Sequence, residues 1–129
     1  MKADMQTLKR SISWFLVVGA IAALVHYAMA VTLEGMYSVR PAWSNIIGFC
    51  AAFPVSYLGH RHFSFSGQSS SHQQALPRFL AVAILGFLAN QTLVLLGLHF
   101  TALPFWSLLA LVMIVVAIGT YLLSKHWAF

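Results

Sequence analysis

Four long apolar stretches alternate with short polar breaks along this chain: residues 12–33, 42–58, 79–99 and 105–123. Each approaches the ~20 residues that carry an α-helix across hydrocarbon. The pattern therefore predicts an all-α membrane protein with four transmembrane helices, folded as a single domain over residues 1–129. Pro41 and Pro104 stand at predicted helix starts, where a missing N–H costs nothing. Pro54 falls inside the second stretch, removes a backbone bond to Cys50 and predicts a kink. Between the second and third stretches, residues 66–74 read Ser-Gly-Gln-Ser-Ser-Ser-His-Gln-Gln, a polar and flexible linker.

The pattern repeats. Tyr57-Leu58-Gly59-His60-Arg61-His62-Phe63-Ser64-Phe65 returns 64 residues later as Tyr121-Leu122-Leu123-Ser124-Lys125-His126-Trp127-Ala128-Phe129. The same shift carries Phe15-Leu16-Val17-Val18 onto Phe79-Leu80-Ala81-Val82, and His26 onto Asn90. Two helical hairpins, about 12–65 and 78–129, make a tandem repeat, a construction common among small membrane carriers. Each hairpin crosses twice, so the copies are parallel rather than inverted.

Composition agrees with lipid as the main solvent. Sixty per cent of the residues are hydrophobic, 7% are charged and mean hydropathy is +0.84, whereas a soluble domain is about a quarter charged. The net charge of +5 does not point to nucleic acid, because the cations cluster at helix ends. Lys2, Lys9, Arg10, Arg61, Arg78 and Lys125 fall on one side of a four-span topology, and Arg40 alone on the other. That imbalance predicts cytoplasmic N and C termini. Lys9 and Arg10 followed by an apolar run and Ala28-Met29-Ala30 have the outline of a secretory signal. The apolar stretch continues through Leu33, however, beyond the ~7–15 residues of a signal core, and the first helix is expected to be retained. Cys50 is the sole cysteine, which leaves no disulfide framework.

Polar side chains inside hydrocarbon are costly, and each poses a question. His26, Asn45, Asn90 and Gln91 are the clearest cases, with Ser56 and Tyr57 lower in the second helix. Counted from Arg78 at 1.5 Å per residue, Asn90 lies ~18 Å along its helix, near mid-bilayer. His26 and Asn45 count nearer the outer side. Residues at several depths suit a hydrophilic groove; interhelical hydrogen bonding that pins the bundle is the plainer role, worth ~0.6 and up to ~2 kcal/mol per bond. A second cluster is His60-Arg61-His62 with its echo Lys125-His126. A guanidinium matches phosphate geometry and adjacent imidazoles add donors, although topological anchoring among Phe63, Phe65, Trp127 and Phe129 needs cations there too. Outside, Arg40 is placed to pair with Glu34 or to receive a phosphate. Ser44, Gly48, Ala52 and Ser56 form a small-residue stripe that serves helix packing. No phosphate-binding glycine loop, catalytic triad or metal-ligand spacing is present, so no catalytic residue, metal or other cofactor is expected.

The run Asn45-x-x-Gly48, then Phe53 to Tyr57, then His60-Arg61-x-Phe63-x-Phe65 resembles the GtrA-like family of small four-helix membrane proteins. Arg78-Phe79-Leu80-Ala81-Val82, Asn90-Gln91 and the closing Lys125-x-Trp127-x-Phe129 match as well, and Phe15-Leu16-Val17-Val18-Gly19 is similar to the family's first helix. The resemblance covers nearly the whole chain from about Trp14. His60 stands where many members have Asn, and Phe63 where many have Trp. What the resemblance implies is a flippase of the bacterial inner membrane, moving a polyprenyl-phosphate-linked sugar such as undecaprenyl-phosphate glucose from the cytoplasmic to the periplasmic leaflet for cell-surface polysaccharide modification. Members often work beside a membrane glycosyltransferase, which makes such an enzyme an implied partner.

On that reading Arg61, His60, His62, Lys125 and Arg40 handle the phosphate and head group. His26, Asn45, Tyr57, Asn90 and Gln91 line a polar groove. Four helices provide little wall for an enclosed path, so a homodimer is expected, through the small-residue stripe or the fourth helix. The alternative is a non-transporting scaffold that recruits or stabilises the glycosyltransferase. A small multidrug-type exporter ranks last, because such proteins depend on a glutamate in the first membrane helix and residues 12–33 contain none.

Overall fold

A computed structural model of the chain describes residues 2–64 and 72–123. Four α-helices follow one another: α1 (Lys2–Tyr37), α2 (Pro41–Gly59), α3 (His72–Phe100) and α4 (Phe105–Leu123). A π-helical turn, His60–Ser64, extends α2. The helices begin and end close to where the apolar stretches do, with two differences. α1 starts ten residues before the apolar run, because nothing from Lys2 to Arg10 interrupts a helix. His72, Gln73 and Gln74, expected in the linker, form the first turn of α3. Residues 65–71 and 124–129 lie outside the described residues, including the sites expected at Lys125 and His126.

Segments Ser13–Tyr37 of α1 and Leu80–Phe100 of α3 are long and apolar enough to cross a membrane, and α4 contributes the shorter apolar segment Phe105–Gly119. α2 contains Ser44, Asn45, Ser56 and Tyr57 but turns three of these four inward, leaving only Ser56 partly exposed. It runs helically through Pro54 and passes into the π turn at His60.

α1 packs along α2 for most of the latter's length. A Cβ added at Gly48 would stand 2.7 Å from the His26 carbonyl oxygen and 3.1 Å from the Ala30 methyl. One at Gly59 would stand 2.6 Å from Val18. Ser44, Gly48 and Ala52 are buried, so the small-residue stripe is consumed inside the chain. Ser56, the last residue of the stripe, is partly exposed, and at Gly48 the helix that uses the close approach is α1 rather than a second copy.

Among the described residues, the buried contacts of the second hairpin lie near its linking turn. Val94 of α3 and Phe105, Leu108, Leu109 and Val112 of α4 form a core with Ala30 of α1. Toward the other end, Val82, Leu85 and Leu88 of α3 and Ile114, Val115 and Ile118 of α4 are exposed, as lipid-facing apolar residues are. The hairpin turns differ too. Ser38 takes a left-handed backbone (φ 56°), while Val39 N–H donates to the Leu33 carbonyl at 3.1 Å. In residues 101–104, Thr101 Oγ1 donates to the Gly97 carbonyl at 2.6 Å.

Candidate functional site: a buried amide–imidazole cluster

Four of the polar residues in the apolar helices meet at one place. Asn45, fully buried near the start of α2, donates from Nδ2 to Asn90 Oδ1 at 2.7 Å and to Gln91 Oε1 at 2.8 Å. Both amide hydrogens are thereby used. Asn45 Oδ1 lies 2.7 Å from His26 Nε2, and an oxygen can only accept, so the His26 ring carries its proton on Nε2. Gln91 Nε2 then donates to the Ala42 carbonyl at 3.1 Å. Three helices are tied through one side chain. Beside this cluster, Tyr27 Oη donates to the Trp106 carbonyl at 2.9 Å, joining α1 to α4.

This arrangement corrects the expected spread in depth. Asn90 does not sit apart from His26 and Asn45; all belong to one hydrogen-bonded unit. Asn45 is little more than a turn from Pro41 and Gln91 reaches Ala42, so the unit lies toward the Arg40 end of the bundle. The cause is energetic: an amide alone in hydrocarbon costs more than the modest gain of any single interhelical bond, so helices settle where the amides meet. Among the described residues, no buried side-chain nitrogen or oxygen lacks a partner.

A cleft of about 210 Å³ begins at His26 and continues past Ala22, Phe53 and Ala52 to Ser56, with Met113 on the α4 side. Of the expected groove residues, His26 alone lines it; Asn45, Asn90 and Gln91 do not. Its walls are mainly aliphatic and aromatic, and Phe49 stacks on Phe87 of α3 at a centroid separation of 4.6 Å. Tyr57 lies elsewhere. It is buried and parallel to Phe53 with centroids 6.3 Å apart, more than three turns along α2 from Asn45.

Along α2, Arg61 follows Ser56 by little more than one turn. It sits half-buried in the π turn, and His62 beside it is exposed. His60 differs from the expectation. Its ring is buried and stacked on Phe15 at 4.6 Å, which directs it into the α1–α2 contact rather than toward a head group. Burial holds the His60 imidazole below its usual pKa. At the opposite end Arg40 is exposed at the N-terminus of α2 and makes no ion pair with Glu34. Among the described residues, no group of three or more His, Cys, Asp or Glu is placed to hold a metal ion.

Sequence reasoning missed Tyr27 and Phe87. Tyr27 was legible by the rule that flagged His26, since its hydroxyl is also a polar atom in hydrocarbon. Phe87 carried no such signal; an aromatic in an apolar run announces nothing about its neighbour.

The family model for the GtrA/DPMS transmembrane domain matches residues 14–129. No curated protein and no solved structure matches the chain. The matched segment takes in both long apolar segments, the amide–imidazole cluster and the basic π turn, and the chain is a membrane protein belonging to the GtrA/DPMS transmembrane-domain family.

Proposed function

We propose that this protein moves a polyprenyl-phosphate-linked sugar from the cytoplasmic to the periplasmic leaflet of a bacterial inner membrane. Family membership supports involvement with polyprenyl-phosphate sugars. The observation that carries the transport reading is the convergence of His26, Asn45, Asn90 and Gln91 in one hydrogen-bonded unit, with His26 also lining the cleft that runs to Ser56. A prenyl tail is at home in lipid. The phosphate and the sugar hydroxyls are not, and each hydroxyl losing water needs a replacement partner.

In this mechanism Arg61, with exposed His62, captures the phosphate at the cytoplasmic face, where a guanidinium fork suits phosphate oxygens. Lys125 assists there. The cluster is the closed state of the path: its amides bond one another, and passage requires them to exchange those bonds for sugar hydroxyls. Bonds of this kind are individually weak, about 0.6 kcal/mol, so the exchange is energetically accessible. Arg40 receives the phosphate on the far side, and flow follows consumption of the lipid there.

The cation distribution supports four spans with cytoplasmic termini. The tandem-repeat reading draws support from burial: His26, Ala30, Ser44, Asn45 and Gly48 are buried, and so are Asn90, Val94, Leu108, Leu109 and Val112, each 64 residues on. A homodimer formed on the exposed α4 face supplies the missing wall. Proteoliposomes loaded with a defined polyprenyl-phosphate glucose test the proposal. Arg61→Ala protein that folds and inserts is expected to lose transfer; transfer at the wild-type rate rejects this mechanism.

The second reading is a scaffold for a membrane glycosyltransferase. It is favoured by one feature, the complete internal satisfaction of the cluster, which is what a structural pin requires. It predicts that wild-type protein does not accelerate flipping, and that substitutions on lipid-facing α3 or α4 disrupt complex formation with the enzyme.

A further inference from the structure

A second groove lies on the other side of the α1–α2 contact, close to the basic end. It measures about 260 Å³, and its walls include Trp14, Val17 and Ile21 of α1 with Val55 of α2 and Phe63 of the π turn. None of the cluster residues lines it, so a molecule seated here is not on the path through the amides. Trp14 stacks on Phe63 with centroids 4.8 Å apart, closing the groove at one end with paired aromatics of the kind found at head-group level. Arg10 is exposed one helical turn before Trp14 and therefore shares its face. Lys9 is exposed beside it, and exposed His62 immediately precedes Phe63. Among residues whose side chains are described, the only carboxylate, Glu34, is more than five turns along α1 from this end. The mouth of the groove is cationic and its floor is aliphatic.

We propose that this groove binds one anionic glycerophospholipid, with an acyl chain along Val17, Ile21 and Val55 and the phosphate at Lys9 and Arg10. The occupant is a resident membrane lipid, distinct from the transported one. The charge complementarity selects an anionic over a zwitterionic head group, and the apolar floor selects a lipid over a free phosphate. Its role is to hold the π turn against α1 at the junction marked by the Gly59–Val18 approach.

The test is native mass spectrometry of the purified full chain released from nanodiscs of equal phosphatidylglycerol and phosphatidylcholine. Phosphatidylglycerol is expected to be retained at one copy per chain in preference to phosphatidylcholine. Arg10→Gln should lower retention by about fivefold, the effect of one cation near an anionic lipid surface. Val17→Trp and Ile21→Trp, at half-exposed positions and so tolerable to the fold, should each abolish it. Equal retention of the two lipids, unchanged retention in both tryptophan variants, displacement by a long prenyl phosphate, or equal retention of inorganic phosphate would each overturn the proposal. These substitutions avoid Arg61 and the cluster, so their outcome is independent of the transport assay.

Discussion

Five pairs of positions 64 residues apart are buried in both hairpins, with different chemistry. At the shared places the first has His26, Ala30, Ser44, Asn45 and Gly48, and the second has Asn90, Val94, Leu108, Leu109 and Val112. The second hairpin fills its helix–helix contact with branched aliphatics. The first keeps room for an imidazole and an amide, and uses glycine to bring the backbones together. Away from these shared places the hairpins part company: Val18 is 4% exposed and its counterpart Val82 is 66% exposed. The shared burial lies near the hairpin turns, and the polar cluster draws His26 and Asn45 from the first hairpin and Asn90 and Gln91 from the second. The 64-residue shift pairs some buried positions with buried ones and Val18 with an exposed Val82, so the sequence match alone fixes neither burial nor role.

Replacing Asn45 by the residue of its counterpart is the largest perturbation. Asn45→Leu leaves the His26 Nε2 proton and the oxygens of Asn90 and Gln91 without their partner. Unsatisfied buried groups cost about 1–3 kcal/mol each, moderated in lipid because alternatives are found. A loss of about 2–4 kcal/mol is expected in mixed-micelle denaturation. The reciprocal Leu109→Asn should also destabilise, by inserting an amide among apolar neighbours.

The glycines at the closest approaches give the next contrast. The new methyl of Gly48→Ala meets a backbone carbonyl at 2.7 Å, which cannot move alone; that of Gly97→Ala comes nearest to the end of the Leu108 side chain, at 2.6 Å. Gly48→Ala should cost about 1–3 kcal/mol by overpacking. Gly97→Ala should fall near neutrality, since Leu108 can shift and alanine regains about 0.8–1.0 kcal/mol of helix propensity.

Helix boundaries were legible in the sequence because apolar runs end at prolines, glycines and cations, and those ends need no knowledge of partners. The polar residues were legible for the same reason: an amide or imidazole in an apolar run stands out on its own. Their meeting was not. Counting Asn90 from Arg78 assumes that the cation marks the membrane boundary, yet α3 begins at His72 and α2 meets it through the amides near α2's own start and the Phe49–Phe87 stack. A histidine beside an arginine reads as a head-group ligand, and the stacking of His60 on Phe15, 45 residues away in sequence, is not legible from the chain. The small-residue stripe announced a close neighbour without saying whether that neighbour was α1 or a second copy.

His60 gives a pH test of the first hairpin's closed end. Its imidazole is held neutral by burial, with a pKa below the usual ~6.5. As pH falls through that range the unfolded chain binds the proton before the folded one, so stability contributed at pH 7 declines toward pH 5. His60→Gln should lose less stability than wild type over the same interval, as read by thermal unfolding in detergent. The smallest effect belongs to the turns. Ser38→Gly removes the left-handed strain of a residue with a Cβ, and should raise stability by up to about 1 kcal/mol.

The most direct measurement is the rate at which purified protein in proteoliposomes brings polyprenyl-phosphate glucose to the opposite leaflet, compared between wild type and a monodisperse Asn90→Leu variant. The amide cluster as a gate predicts accelerated transfer by wild type and at least a tenfold slower rate in the variant, in the manner of a path that has lost a partner for hydroxyls. Equal rates for the two proteins, or a wild-type rate no higher than empty liposomes, would contradict it.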